Sequence, residues 1–147
     1  MREIKVGTLD YLEGIKNIDD ERFNDSSYKE DIFIAALSSS SSKILVALED
    51  NKVIGFLLFT LEEDAVDIDH IAVKKECEGK GIATSLLSYL EKYLLATCIN
   101  KIFLEVRKSN DKAIRLYEKN KFEFYRTRKK YYKNGEDALC YVKEISK

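Results

Sequence analysis

The spacing of apolar positions changes along the chain, and each change marks a predicted element. Residues 3–9 read as a strand. Leu12, Ile15 and Ile18 then fall on one helical face, with Thr8 or Asp10 available as a cap. A second helix is expected over residues 28–37, after Asn24, Asp25, Ser26 and Ser27. Ser38 to Ser42, five serines in a row, read as a flexible surface loop. Residues 43–48 and 53–61 are apolar runs joined by Glu49-Asp50-Asn51-Lys52, the pattern of a β-hairpin with a tight turn.

A turn around Glu62, Glu63 and Asp64 leads into a strand over residues 66–73 whose alternation breaks. Val66 and Ile68 occupy even positions, Ile71 and Val73 odd ones. A period of two admits that flip only through an extra residue, so a β-bulge is expected at Asp69 and His70. Such a bulge splays a strand and leaves backbone N–H groups without ladder partners. Residues 74–80 read as a loop. Ile82, Ala83, Leu86, Leu87, Leu90, Tyr93 and Leu94 then form a wide helical stripe within residues 81–96.

In the next strand, residues 101–106, Ile102, Leu104 and Val106 face one way and Phe103 and Glu105 the other. Ser109, Asn110 and Asp111 cap a helix carrying Ala113, Ile114, Leu116 and Tyr117. Two last strands, residues 122–128 and 137–144, flank a basic loop through Tyr131, Tyr132, Lys133, Asn134 and Gly135. The order mixes α and β, with a strand–loop–helix–strand unit at its centre.

Composition narrows the function classes. At 147 residues, with 45% hydrophobic and 35% charged residues, the chain is expected to be a single domain over residues 1–147 with a real core. Its net charge of −1 argues against a nucleic-acid-coating role. No stretch approaches a membrane span, and residues 1–5 lack the apolar run of a signal peptide, so a cytoplasmic protein is expected. Cys77, Cys98 and Cys140 are odd in number and widely spaced, which fits free thiols. His70 is the one histidine, and no Cys/His cluster accompanies it, so no metal site is expected.

The candidate chemistry sits in the central unit. Glu78-Gly79-Lys80-Gly81-Ile82-Ala83 joins the bulged strand to a helix start. Two glycines and a small alanine let backbone approach a ligand closely, and the first N–H groups of a helix favour an anion. The loop therefore reads as a phosphate cradle, to which Lys74, Lys75 and Lys80 add charge. By itself such a loop is equally a tight turn, and it matches neither GxxxxGK[ST] nor GxGxxG. The preceding bulge is what distinguishes it.

Ile71-Ala72-Val73 followed by Glu78-Gly79-Lys80-Gly81-Ile82-Ala83 resembles the acetyl-CoA-binding motif of the GCN5-related N-acetyltransferase (GNAT) family. The likeness continues through Leu104-Glu105-Val106-Arg107, Ser109-Asn110, Ala113, Leu116-Tyr117-Glu118-Lys119, Phe122, Arg128, Tyr131-Tyr132 and Glu136-Asp137-Ala138, where it looks like that of RimI-type ribosomal-protein-alanine acetyltransferases. The resemblance implies a mostly antiparallel, twisted sheet that splays at the bulged strand and is flanked by helices. Acetyl-CoA is the implied co-substrate. Ile71, Ala72 and Val73 would hold its pantetheine arm, Gly79, Lys80, Gly81, Ile82, Ala83 and Thr84 its pyrophosphate, and Asn110 would contact the CoA arm. Glu105 falls at the position of the general base and Tyr117 at that of the general acid. Tyr131 and Tyr132 would line the groove for an acceptor peptide or protein N terminus, ribosomal by resemblance, with neither membrane nor nucleic acid as partner. Two positions depart from the pattern. Glu78 stands where the family usually has Gln or Arg, and Ser27 stands near an expected tryptophan.

The residues themselves leave other readings open. Glu105 is also what a half-exposed strand would carry, and Tyr117 is also an ordinary core tyrosine. His70 reads as structural, the acidic group Glu62, Glu63, Asp64, Asp67 and Asp69 as a solvated hairpin or a lure for a basic peptide, and the three cysteines as bystanders. The alternatives to N-terminal acetylation are transfer to a lysine, a polyamine or another small amine, an acyl-CoA-binding module without catalysis, and an RNA-binding protein that uses the basic run Arg126, Arg128, Lys129, Lys130 and Lys133.

Overall fold

The computed structural model describes residues 2–23 and 27–146, so Asn24, Asp25 and Ser26 of the expected helix entry lie outside the described residues. The chain runs β1 (Arg2–Val6), α1 (Leu12–Phe23), α2 (Glu30–Ser38), β2 (Ser42–Glu49), β3 (Lys52–Leu61) and β4 (Ala65–Val73). It continues with α3 (Ile82–Leu94), β5 (Lys101–Arg107), α4 (Asp111–Lys119), β6 (Glu123–Arg128) and β7 (Ala138–Glu144). Among the described residues these strands make one sheet in the order β1-β2-β3-β4-β5-β7-β6. Every neighbouring pair is antiparallel except β4 with β5.

The near-continuous apolar runs of β2 and β3 are explained by helices on both faces. Ile44, Val46, Leu48, Phe56 and Leu58 pack against Ile15, Ile18, Phe33 and Ala36 of α1 and α2. Leu45, Ala47, Ile54, Leu57 and Phe59 pack on the other face against Ile82, Leu86, Leu87, Leu90 and Leu94 of α3. Gly14 lets α1 lie close to β3, because a Cβ there would stand 2.8 Å from Val53 Cγ2. Beyond β4 the helical cover thins, and every residue of the edge strand β6 is exposed.

Several boundaries differ from the sequence pattern. The first strand ends at Val6, and Leu9–Tyr11 wind into a short 3-10 turn; Thr8 precedes it without a side-chain cap. The serine run is a loop only over Ser39–Ser41. Ser39 Oγ accepts the N–H groups of Ser41 at 3.0 Å and Ser42 at 3.2 Å, which holds this turn to the start of β2.

The expected bulge is present and positions everything that follows. Leu58 pairs with His70 and Phe59 with Ile68, so Asp69 is the inserted residue. The insertion lets Val66 and Ile68 before it, and Ile71 and Val73 after it, all reach the α3 side of the sheet.

Candidate active site

The parallel pairing of β4 with β5 covers only Ala65–Ile68 against Lys101–Leu104. After the bulge, β4 follows β3 as far as Val73 while β5 follows β7 as far as Arg107. The two central strands therefore diverge. Lys74 N–H donates to Ile54 O on the β3 side at 2.8 Å. Ladder alternation then turns the N–H groups of Ile71 and Val73 the other way, toward the gap.

Two clefts open on this gap. One, of about 970 Å³, runs between the end of β4, the start of α3 and α4. The other, of about 740 Å³, lies between α2, β4, β5 and the β6–β7 loop. Tyr28, Ile68, Asp69, Leu104, Glu105 and Tyr132 line both. The clefts thus meet at the splay, and Glu105 stands at the meeting point.

The larger cleft has the make-up of a phosphate and thioester site. Gly79 and Gly81 have φ of +76° and +77°, a conformation natural to glycine. A Cβ on either would meet no protein atom within 4 Å, so the loop keeps its concave side clear. Gly81 is the residue that enters α3, and Ile82, Ala83 and Thr84 follow it with unpaired first-turn N–H groups along the cleft. Ile71, Ala72, Val73 and Asn110 line the same cleft. Asn110 also caps α4, its Oδ1 accepting from Ala113 N–H at 3.1 Å, which leaves its amide N–H groups for another partner. Lys80 differs from its neighbours. Its side chain is exposed and lines neither cleft, and its carbonyl accepts from Arg2.

Glu105 reaches the junction, and Tyr117 the wall of the larger cleft, from rigid elements. Glu105 projects from β5 opposite Cys140 of β7. Its Oε2 takes Arg128 Nε at 2.7 Å and lies 3.7 Å from the Cys140 thiol, and Tyr131 forms a further side-chain hydrogen bond to it. These donors fix the orientation of the carboxylate. Tyr117 is 5% exposed, packs against Phe122 and lines the larger cleft. Burial, with Tyr132 nearby, holds its phenol well above the ordinary tyrosine value, so it keeps its proton across the neutral range.

The smaller cleft is walled by tyrosines and carboxylates. Tyr131 and Tyr132 meet edge to face at 5.1 Å, and the Arg107 guanidinium lies over the Tyr132 ring at 4.0 Å. Burial raises the Tyr132 phenol to about 12. The loop carrying them is pinned to the β5–α4 turn by Glu136, which accepts Ser109 N–H at 2.7 Å and pairs with Arg107. Asp67 and Asp69 line the same cleft. Burial, then Glu62 and neighbouring carboxylates, pushes Asp67 up, and burial likewise raises Asp69 despite a bond from Thr60.

Asp19 and Tyr28 had no role in the sequence pattern, and both hold His70 at the bulge. Asp19 is fully buried, accepting Tyr28 N–H at 2.6 Å and bonding His70 Nε2 at 2.5 Å. His70 is stacked on Tyr28 at 4.2 Å and packed on Phe23 at 4.3 Å. Tyr28 in turn donates its hydroxyl to the bulge carbonyl of Asp69. The signal for Asp19 was available: it stands four residues after Ile15 on the apolar face of α1, where a carboxylate needs a buried partner. Asp19→Ala leaves two half-buried donors unmatched, with an expected stability loss of about 1–3 kcal/mol, read from the urea midpoint at unchanged m.

Among the described residues, no group of three or more His, Cys, Asp or Glu side chains is placed to hold a metal ion. No helix among them is long and apolar enough to cross a membrane. Cys77, Cys98 and Cys140 are free.

The family model for the acetyltransferase (GNAT) family matches residues 10–122. An uncharacterised N-acetyltransferase of Methanocaldococcus jannaschii is 36% identical over 135 residues, spanning 90% of this chain and 85% of the relative. An N-alpha-acetyltransferase of Saccharolobus solfataricus is 35% identical over 132 residues, 81% of this chain and 79% of its own length. The crystal structure of the ribosomal-protein-S18-alanine N-acetyltransferase of Escherichia coli superposes with a TM-score of 0.89 at 26% identity, covering 100% of this chain and 96% of that one.

Proposed function

The chain belongs to the acetyltransferase (GNAT) family, and on that premise we infer that it acetylates the free α-amino group of protein or peptide N termini. It is an N-acetyltransferase, and acetyl-CoA is the co-substrate of its family. The observation that carries the N-terminal reading is the meeting of two clefts at the splay, with Glu105 on the wall of both. A cofactor arm entering along one and a peptide along the other bring thioester and amine together beside that carboxylate. The N-alpha-acetyltransferase of S. solfataricus and the ribosomal-protein-alanine enzyme of E. coli support the same acceptor class, a ribosomal N-terminal alanine included.

In this reading acetyl-CoA supplies an activated acyl group, and the chain's own groups handle protons. The N–H groups of Ile71 and Val73 receive the pantetheine arm and face the thioester carbonyl. The Gly79–Thr84 turn takes the pyrophosphate on its backbone amides, and Asn110 offers its amide to the arm. An α-amine has a pKa of about 7.7–8.0, so most of it is protonated at neutral pH. Glu105 takes that proton. As the new C–N bond forms and the C–S bond breaks, Tyr117 donates its proton to the departing thiolate, and the second proton shed by the attacking nitrogen restores the phenol. Tyr131 and Tyr132 wall the peptide groove.

Gly81→Ala puts a methyl group on the open side of the loop at a φ that costs an L-residue about 1–2 kcal/mol. CoA binding is expected to weaken by about tenfold in titration calorimetry, with the sheet intact by circular dichroism.

The acceptor class is tested by two bisubstrate conjugates. In one, CoA is joined through an acetyl bridge to the α-amine of a short peptide; in the other, to a lysine ε-amine of an N-blocked peptide. The α-linked conjugate is expected to bind at least tenfold more tightly. A tighter ε-linked conjugate would move the acceptor to lysine side chains.

A further inference from the structure

We propose that Glu78 is an internal competitor for the phosphates of CoA, occupying two cations, Arg22 and Lys112, that flank the mouth of the cofactor cleft. The inference rests on the placement of CoA in that cleft and is independent of which amine is acetylated.

Three elements meet at this point. Glu78 directly precedes Gly79 of the pyrophosphate loop. Arg22 comes from the last turn of α1 and Lys112 from the first turn of α4, and all three side chains line the larger cleft. Glu78 Oε1 is paired with Arg22, and Oε2 accepts from Lys112 Nζ at 2.6 Å. Each carboxylate oxygen is thus held by a cation from a different element. The Lys112 hydrogen bond and the Arg22 charge keep Glu78 below the usual carboxylate range, so it remains an anion at neutral pH.

As structural glue the Lys112 arm of this bridge is weak. The Lys112 side chain is 72% exposed, and ion pairs of that kind add little to stability. Its location gives it another consequence. A ligand whose phosphates lie on the Gly79–Gly81 amides brings several negative charges beside an ionised carboxylate. The same phosphates offer Arg22 and Lys112 better partners, Arg in a bidentate fork and Lys as a point charge. Binding therefore exchanges one anion for another rather than neutralising two idle cations. A carboxylate that returns to both cations when the phosphates leave also favours departure of CoA after transfer. Glu78 is in this sense a positioning residue: it acts on the ligand through Arg22 and Lys112.

The test compares binding of CoA, dephospho-CoA and S-acetyl-pantetheine by titration calorimetry, at low and moderate salt. Glu78→Gln is expected to bind CoA about three- to tenfold more tightly than the wild type. Its affinity should also fall more steeply with salt, because two uncompensated cations now meet the phosphates. The gain should vanish for S-acetyl-pantetheine, which has no phosphate, and in a Glu78→Gln, Arg22→Gln, Lys112→Gln triple variant. A gain kept with dephospho-CoA assigns the competition to the pyrophosphate, and a gain lost there assigns it to the 3′-phosphate; both support the proposal. Lys112→Gln alone, at an exposed site, provides a second route. It should weaken CoA several-fold and leave S-acetyl-pantetheine unchanged. A Glu78→Gln protein that binds CoA no more tightly than the wild type would overturn the proposal, as would an equal gain for S-acetyl-pantetheine. No acceptor amine takes part, so that failure would leave the N-terminal reading standing.

Discussion

Replacing Glu105 by Gln is expected to lower turnover on an N-terminal peptide by about 10²- to 10⁴-fold at pH 7, the range for loss of a general base. The substitution keeps the size of the side chain and a hydrogen-bonding oxygen, so packing against Cys140 and Tyr131 survives. CoA affinity should stay within about twofold, because the phosphate loop and the Ile71–Val73 edge are untouched. The defect should also depend on pH in a defined direction. Below the amine pKa of about 7.7–8.0 most acceptor is protonated and the carboxylate is needed; above it the amine arrives neutral. The ratio of wild-type to variant rates should therefore narrow between about pH 7 and pH 9. Equal rates at pH 7 would remove Glu105 from the reaction and leave it a residue that anchors Arg128.

Tyr117→Phe has the second large expected effect, a loss of about 10²-fold in kcat with little change in the affinity for CoA. Phenylalanine retains the edge-to-face contact with Phe122 and the buried ring, so core packing is preserved. What it loses is a hydroxyl on the wall of the cofactor cleft. Burial keeps that hydroxyl protonated, which is the state required of a proton donor to a thiolate. Steady-state kinetics with intact CoA binding as control decides the matter. A variant within about threefold of wild type would make Tyr117 a core residue and nothing more.

The parts of this site visible in the sequence were those encoded by local periodicity. The parity break between Ile68 and Ile71 located the bulge at Asp69 because both faces of β4 are constrained, one by each helical layer. Glu105 was legible as the odd polar member of an alternating strand, and the strand does turn it away from the α3 core. The loop from Glu78 to Gly81 was legible from its glycines and the helix that follows. Where no face is buried, the pattern says less. β6 is exposed throughout, and the inserted Tyr125 between Phe124 and Arg126 left no trace in its periodicity. Partnerships across long separations were invisible for a different reason. Asp19 meets His70 across 51 residues, and Arg22 and Lys112 converge on Glu78 from two helices. Only the tertiary fold sets those distances. Glu78, which departs from the pattern of the family the sequence resembles, acquires two cationic partners in the structure.

Transfer to an α-amine, rather than to a lysine side chain, is decided by where the acetyl group lands. The protein is incubated with acetyl-CoA and two peptides, and any acetyl group is located by mass spectrometry. One peptide has a free N-terminal alanine and no lysine; the other is N-blocked and carries internal lysines. Acetylation of the first peptide at its α-amine, and none of the second, is the expected result. Acetylation of the second alone would contradict it and assign the clefts at the splay to a side-chain amine.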